Sequence, residues 1–104
     1  MGETALRSFQ IEHELRQGVL RNELRLFLQP KVSSQREVIG YEALVRWQHP
    51  TRGLTPPCVF IPIAEESDLI CDIGAWVFTE VCSLITQQQN RGNRIQVAVN
   101  ISPR

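Results

Sequence analysis

Four polar side chains in this 104-residue sequence stand where chemistry could be done: Gln29, Glu42, Arg46 and Asn100. Each lies near the end of a segment that alternates apolar and polar residues. In parallel α/β architectures, ligands gather at the carboxyl ends of strands. Glu42 and Asn100 on neighbouring parallel strands would offer two oxygen donors of the kind hard divalent cations prefer. A plainer arrangement uses the same residues: a Glu42–Arg46 ion pair, with Asn100 bonded to backbone. Other chemistries find less support. His13 and His49 have no Cys, Asp or Ser at a triad-like or metal-like spacing, so solvated or packing roles are expected. Gly40, Gly53, Gly74 and Gly92 are scattered, and no phosphate-cradling loop can be drawn through them. Cys58, Cys71 and Cys82 match no common metal-ligand spacing, and their apolar neighbours suggest small buried hydrophobes in a reducing compartment.

The elements that must position these residues follow from periodicity. Residues 4–21 read as a helix, with Ile11, Leu15 and Val19 on one face and His13 on the exposed side. Thr4 or Ser8 is a candidate cap, and such a helix serves equally as a linker or as a domain element. Residues 24–29 alternate with three leucines on one face, and Pro30 is expected to stop them. A polar turn at 33–37 is too short for a parallel crossover, which predicts an antiparallel pair with the next strand, 38–47. That second strand places Ile39, Tyr41, Ala43, Val45 and Trp47 on one face and Val38, Gly40, Glu42, Leu44 and Arg46 on the other.

Residues 48–54 carry turn chemistry. Thr55 before Pro56 marks a helix start, and Pro62 is expected to kink or end that helix. Asp68 is expected in a left-handed turn. A second helix follows over 73–89, capped by Asp72 at its start and by Gly92 at its end. Residues 94–102 alternate as a last strand. Trp47, Trp76 and Phe78 are expected in the core rather than as base-stacking platforms, since no basic surface accompanies them. The order is helix, strand, strand, helix, helix, strand. A βαβ unit ending on an apolar strand leaves a face uncovered and an edge open to another chain, as the front part of something larger would.

Composition bounds the function classes. Eleven Lys and Arg balance eleven Asp and Glu, so the formal net charge is zero. That balance argues against binding a DNA or RNA polymer, or a membrane surface, by bulk electrostatics. The run 58–64 is broken by Pro62 and is far too short to span a bilayer, and the opening residues show no signal-peptide pattern.

The residues 27–32 (Phe-Leu-Gln-Pro-Lys-Val) and 40–47 (Gly-Tyr-Glu-Ala-Leu-Val-Arg-Trp) together resemble the opening of the EAL domain, the bacterial cyclic di-GMP phosphodiesterase family. The similarity continues through His49-Pro50, Gly53, Pro56, residues 60–65, 69–70 and 73–78, and Val99-Asn100-Ile101-Ser102. It implies an α/β fold, the N-terminal part of a TIM-like (β/α) barrel whose first strand runs antiparallel to the rest. On that basis residues 1–21 form an N-terminal helix or linker and 22–104 the first part of the domain. Glu42 is implied as the catalytic metal ligand and Asn100 as a second ligand for Mg²⁺ or Mn²⁺. Gln29, Leu44 and Arg46 are implied in substrate binding: the glutamine holds the dinucleotide, the leucine lines the pocket and the arginine reaches a phosphate.

The implied activity is cleavage of cyclic di-GMP to linear pGpG in the cytoplasm, in a protein that a membrane sensor can tether. The implied partners are the remainder of the barrel and a second copy of the chain. A complete barrel of this type needs about 250 residues, so the family's later acidic residues cannot be assigned here and the piece alone is expected to be inactive. The alternative is a non-catalytic EAL-like module that binds cyclic di-GMP or a protein partner.

Overall fold

The computed structural model describes residues 2–101, with side chains described from Leu6 onward. The elements are α1 (Gly2–Leu20), β1 (Leu24–Val32), β2 (Val38–His49), β3 (Gly53–Thr55), α2 (Pro57–Glu65), α3 (Leu69–Asn90) and β4 (Val97–Val99). β2 is the central strand. It pairs antiparallel with β1 along one side, and on the other side antiparallel with β3 and parallel with β4. The antiparallel first pair, followed by a return in parallel through two helices, is the topology expected from the short 33–37 turn and the long 50–96 connection.

Period-two patterning decides which face is packed. Leu24, Ala43, Val45 and Trp47 are buried on one side of the sheet, with Leu26, Leu28 and Val97 packed beside them. α1 contributes Ile11 and Leu15, α2 contributes Phe60, Ile61 and Ala64, and α3 contributes Leu69, Ile73, Val77 and Val81. The α3 positions recur at i, i+4, the spacing of one helical stripe. α3 is also long and apolar enough, by length and composition alone, to cross a membrane; here that stripe is spent on the core.

Trp47 is the centre of this packing. Its ring is fully buried, edge-on to His49 and to Phe60 at centroid distances of 5.0 and 5.7 Å. Gly18 of α1 lies against the indole, where a Cβ would come within 2.8 Å of Trp47 Nε1. The indole N–H donates to Glu23 Oε1 at 3.0 Å, and the Gln48 amide donates to the Glu23 carbonyl at 2.8 Å. The end of α1 is thereby fastened to β2.

Several boundaries differ from those expected. Pro30 does not stop β1, which runs on to Val32 with a register shift between Lys31 and Val32. β1 is an edge strand among the described elements, where a residue lacking an N–H is tolerated. β3 was not expected within the 48–54 turn; its three residues exist by pairing with the end of β2. α1 already includes Thr4 and Ser8, so neither caps it. Thr55 belongs to β3 and bonds the Gly53 carbonyl, while Pro56 occupies the N-cap of α2. Pro62 sits inside α2, which continues three residues beyond it.

Asp68 is right-handed, at φ −72°, and is the N-cap of α3, so Asp72 lies in the first turn instead. The left-handed turns fall at Asn22, Arg36, Gly53 and Gly92. β4 is shorter than the expected strand, and Ser102 lies outside the described residues. Phe78 is 68% exposed rather than in the core, and Trp76 is half-buried. The three cysteines are exposed, not buried. Cys71, Cys82 and Phe78 are apolar by type but lie off the 69-73-77-81 stripe, and helical phase wins over composition.

Candidate functional site

The register between β1 and β2 builds the site rung by rung. Gln29 stands opposite Glu42, Phe27 opposite Leu44 and Arg25 opposite Arg46. Residues two apart on a strand share a face, so these six side chains lie together on the side opposite Ala43, Val45 and Trp47. Glu42 also pairs in parallel register with Ala98. Gln29, Glu42 and Arg46 therefore share one surface with Leu44, and Asn100 follows directly on the end of β4. Glu42 is the fifth of twelve residues in β2, well inside the strand rather than near its end.

This face is open where the other is packed. Gln29 and Asn100 are exposed, Phe27 is 46% exposed, and Glu42, Leu44 and Arg46 are half-buried. A cleft of about 500 Å³ lies between β1 and α3, lined by Leu24, Arg25, Leu28, Trp76, Glu80 and Leu84. The site is thus a sheet surface and not an enclosed pocket.

Glu42 and Arg46 do not pair with one another. The Arg46 Nη1 donates to the Val45 carbonyl at 3.0 Å, and the ion pairs among the described residues all lie around α1. The plainer ion-pair arrangement is therefore absent, and the Glu42 carboxylate is left facing the open surface. Glu42 and Asn100 would offer oxygen donors of the kind Mg²⁺ or Mn²⁺ prefers, unlike a thiolate- or imidazole-seeking metal. The set is partial, for no group of three or more His, Cys, Asp or Glu side chains among the described residues could hold an ion.

The family model described as "EAL domain" matches residues 12–104. The chain belongs to the EAL domain family. Among its relatives, the cyclic di-GMP phosphodiesterase PdeR of Escherichia coli (strain K12) is 44% identical over 94 residues, covering 90% of this chain and 14% of that protein. The bifunctional diguanylate cyclase/cyclic di-GMP phosphodiesterase MucR of Pseudomonas aeruginosa is 41% identical over 104 residues, covering 98% of this chain and 15% of that protein. The chain thus spans about a seventh of the length of these curated relatives.

Solved structures agree. The PaMucR phosphodiesterase in complex with c-di-GMP superposes with a TM-score of 0.84 at 43% identity, covering 89% of this chain and 38% of that one. The FimX EAL domain from Pseudomonas aeruginosa bound to c-di-GMP gives 0.74 at 28% identity, covering 88% and 36%. The EAL fold is a TIM-type barrel, and this chain is an N-terminal part of one, α/β with an antiparallel first strand.

A second polar cluster escaped the sequence reading. His49 is buried, and its Nε2 lies 2.8 Å from Glu14 Oε1 of α1. Its Nδ1 accepts the Thr51 and Arg52 amides, each at 3.1 Å, which leaves Nε2 as the donor to Glu14. Arg52 Nη2 approaches the same carboxylate at 3.6 Å. His49 follows Trp47 by two residues on the packed face of β2, and that parity is the signal that could have placed it.

The hydrogen bond from His49, helped by the charge of Arg52 and opposed by partial burial, holds the Glu14 carboxyl below its ordinary value. A depressed carboxylate contributes stability that is present above its unfolded-state pKa and lost as pH falls through the folded-state value. Melting temperature is therefore expected to fall on acidification through the carboxylate range, and Glu14→Gln is expected to flatten that part of the profile. A Glu14→Gln protein with the same acid slope as wild type would count against this clasp as its source.

Proposed function

We propose that the complete domain, of which this chain is the first part, hydrolyses cyclic di-GMP to linear pGpG. The observation that supports this most is the rung pairing Gln29 with Glu42, on one open face with Leu44 and Arg46, with Asn100 directly following the end of β4. Glu42 is the catalytic residue and, with Asn100, would hold Mg²⁺ or Mn²⁺. Such an ion, when bound, lowers the pKa of an attacking water and neutralises charge on the phosphoryl oxygens. Gln29 offers an amide to the dinucleotide and Leu44 an apolar wall. Arg46 offers guanidinium N–H groups to a phosphate, a charge-assisted contact about twice as strong as a neutral one. In the overall reaction, water oxygen bonds to phosphorus, one bridging P–O bond breaks, and the departing oxygen takes up a proton.

The EAL relatives named phosphodiesterases support the substrate class, and the solved neighbours with c-di-GMP bound support it as the ligand. The other partners of this face are the remaining strands and helices of the barrel. Incubating the full-length protein with cyclic di-GMP and Mg²⁺ or Mn²⁺ is expected to give pGpG, resolved by ion-pair chromatography. Tight binding with no product under either metal identifies a non-catalytic cyclic di-GMP module instead.

A further inference from the structure

We propose that Arg25 is a further phosphate-binding residue of this site, acting with Arg46 as a pair of guanidiniums that takes one phosphodiester of the substrate. The inference rests on the reading of the site as a cyclic di-GMP face, and it extends that reading to a residue with no other assigned role. The register sets Arg25 directly opposite Arg46, on the face that carries Gln29 and Glu42. Like charges directly across an antiparallel pair repel one another. An anion held between the two guanidiniums would relieve that repulsion.

Neither arginine is satisfied by a carboxylate. Arg25 Nη1 donates to the Asn22 and Leu24 carbonyls at 2.7 and 2.8 Å, and Arg46 Nη1 donates to the Val45 carbonyl at 3.0 Å. All three acceptors are neutral backbone, and the ion pairs among the described residues include neither arginine. The neighbouring Glu23 does not serve, because its side chain bonds the Trp47 indole on the other face. Each guanidinium has five N–H donors in a planar fork, so most remain for a ligand. The anchor at Asn22 is itself built by the fold: Asn22 holds φ +60° in the turn entering β1, which aims its carbonyl at the guanidinium.

Charge order along the face fits a ligand with two anionic groups. The Glu42 carboxylate stands opposite the Gln29 amide at one rung, the anionic end of the face. The guanidiniums stand four residues away along each strand, roughly 13 Å at about 3.3 Å per residue. One phosphodiester then lies toward the metal end and the other between the two arginines. A mononucleotide meets only one of these ends, whereas a cyclic dinucleotide meets both.

The test is calorimetric binding of cyclic di-GMP to the full-length protein without divalent metal, in wild type, Arg25→Ala, Arg25→Lys, Arg46→Ala and the double alanine variant. Arg25→Ala is expected to weaken binding about tenfold, equal to 1.4 kcal/mol, with an unchanged or slightly raised melting temperature. Arg25→Lys should recover part of the loss, since a point charge replaces a fork. The double variant should lose less than the product of the two single losses, because both arginines address one phosphate. With metal present, KM should rise in Arg25→Ala while kcat stays within about twofold. Wild-type affinity in Arg25→Ala beside a clear loss in Arg46→Ala overturns the inference and leaves the reading of the site standing. A lowered melting temperature with unchanged affinity also overturns it, by revealing a carboxylate of the remaining domain as the partner of Arg25. A folded wild-type protein that does not bind cyclic di-GMP overturns the reading of the site and this inference together.

Discussion

In the full-length protein, Glu42→Gln is expected to lower the turnover of cyclic di-GMP by roughly a thousandfold while nucleotide affinity changes little. Glutamine preserves the size of the side chain and one oxygen, so the face presented by Gln29, Leu44 and Arg46 keeps its shape. What disappears is the negative charge proposed to hold a divalent cation, and with it several kcal/mol of transition-state stabilisation, each ~1.4 kcal/mol being a factor of ten in rate. Interactions that matter only in the transition state change kcat and leave ground-state binding in place. The geometry adds a second expectation. Glu42 and Arg46 are not bonded to one another, since the guanidinium turns to the Val45 carbonyl. Removing the Glu42 charge therefore orphans no partner among the described residues, and the melting temperature should hold. Hydrolysis assayed at saturating substrate, beside affinity and melting temperature, separates these effects. Near-normal hydrolysis by Glu42→Gln would sink the catalytic assignment, and a joint fall in stability and affinity would return Glu42 to a structural role.

How much of this could be read without coordinates depends on the range of the interactions involved. Local periodicity carried the packed faces of β1 and β2, the α3 stripe through Ile73, Val77 and Val81, and the antiparallel β1–β2 pair. Each of these follows from spacing within a few residues. β3 was invisible because a three-residue strand has no period of its own and exists only through its partner, β2. The cysteines and Phe78 were misplaced because residue type was weighed above helical phase. Asp68 was misjudged for a related reason: a residue that tolerates a left-handed turn also serves as a helix N-cap, and the latter role prevailed.

The site divides in the same way. Parity along residues 38–47 put Glu42, Leu44 and Arg46 on one side of a strand with no knowledge of the fold. That Gln29 lies across from Glu42, and Arg25 across from Arg46, depends on the register of two strands, which the sequence leaves open until the turn at 33–37 is counted residue by residue. The Glu14–His49 clasp joins side chains 35 positions apart. No local pattern predicts such a pair, and only the docking of α1 beside the end of β2 produces it. The roles implied for Gln29 and Leu44 came from family resemblance alone, whereas strand patterning had already set Asn100 beside Glu42 as a candidate oxygen donor.

Trp47→Ala is expected to destabilise the fold by about 3–5 kcal/mol, the usual range for deleting a large buried aromatic. Three observations favour the upper part of that range. The ring is fully buried, so none of the lost surface is recovered by solvent in the native state. It makes edge-on contacts with both His49 and Phe60, which go with it. The substitution also leaves Glu23 Oε1 without the indole donor that now lies 3.0 Å away. Trp47→Phe keeps most of the ring and removes that donor, so its cost should approach the ~1–3 kcal/mol of a polar group stranded without its partner. Against a total stability of ~5–15 kcal/mol for a typical domain, the alanine variant is at or near the threshold of folding. The consequence reaches the chemistry through β2 itself. Trp47 fixes the strand from its packed side, while Glu42, Leu44 and Arg46 project from the other, so a loosened strand moves all three at once. Urea denaturation of the two variants beside wild type measures the difference. A Trp47→Ala loss below about 1 kcal/mol would mean that Trp47 is not the centre of this core.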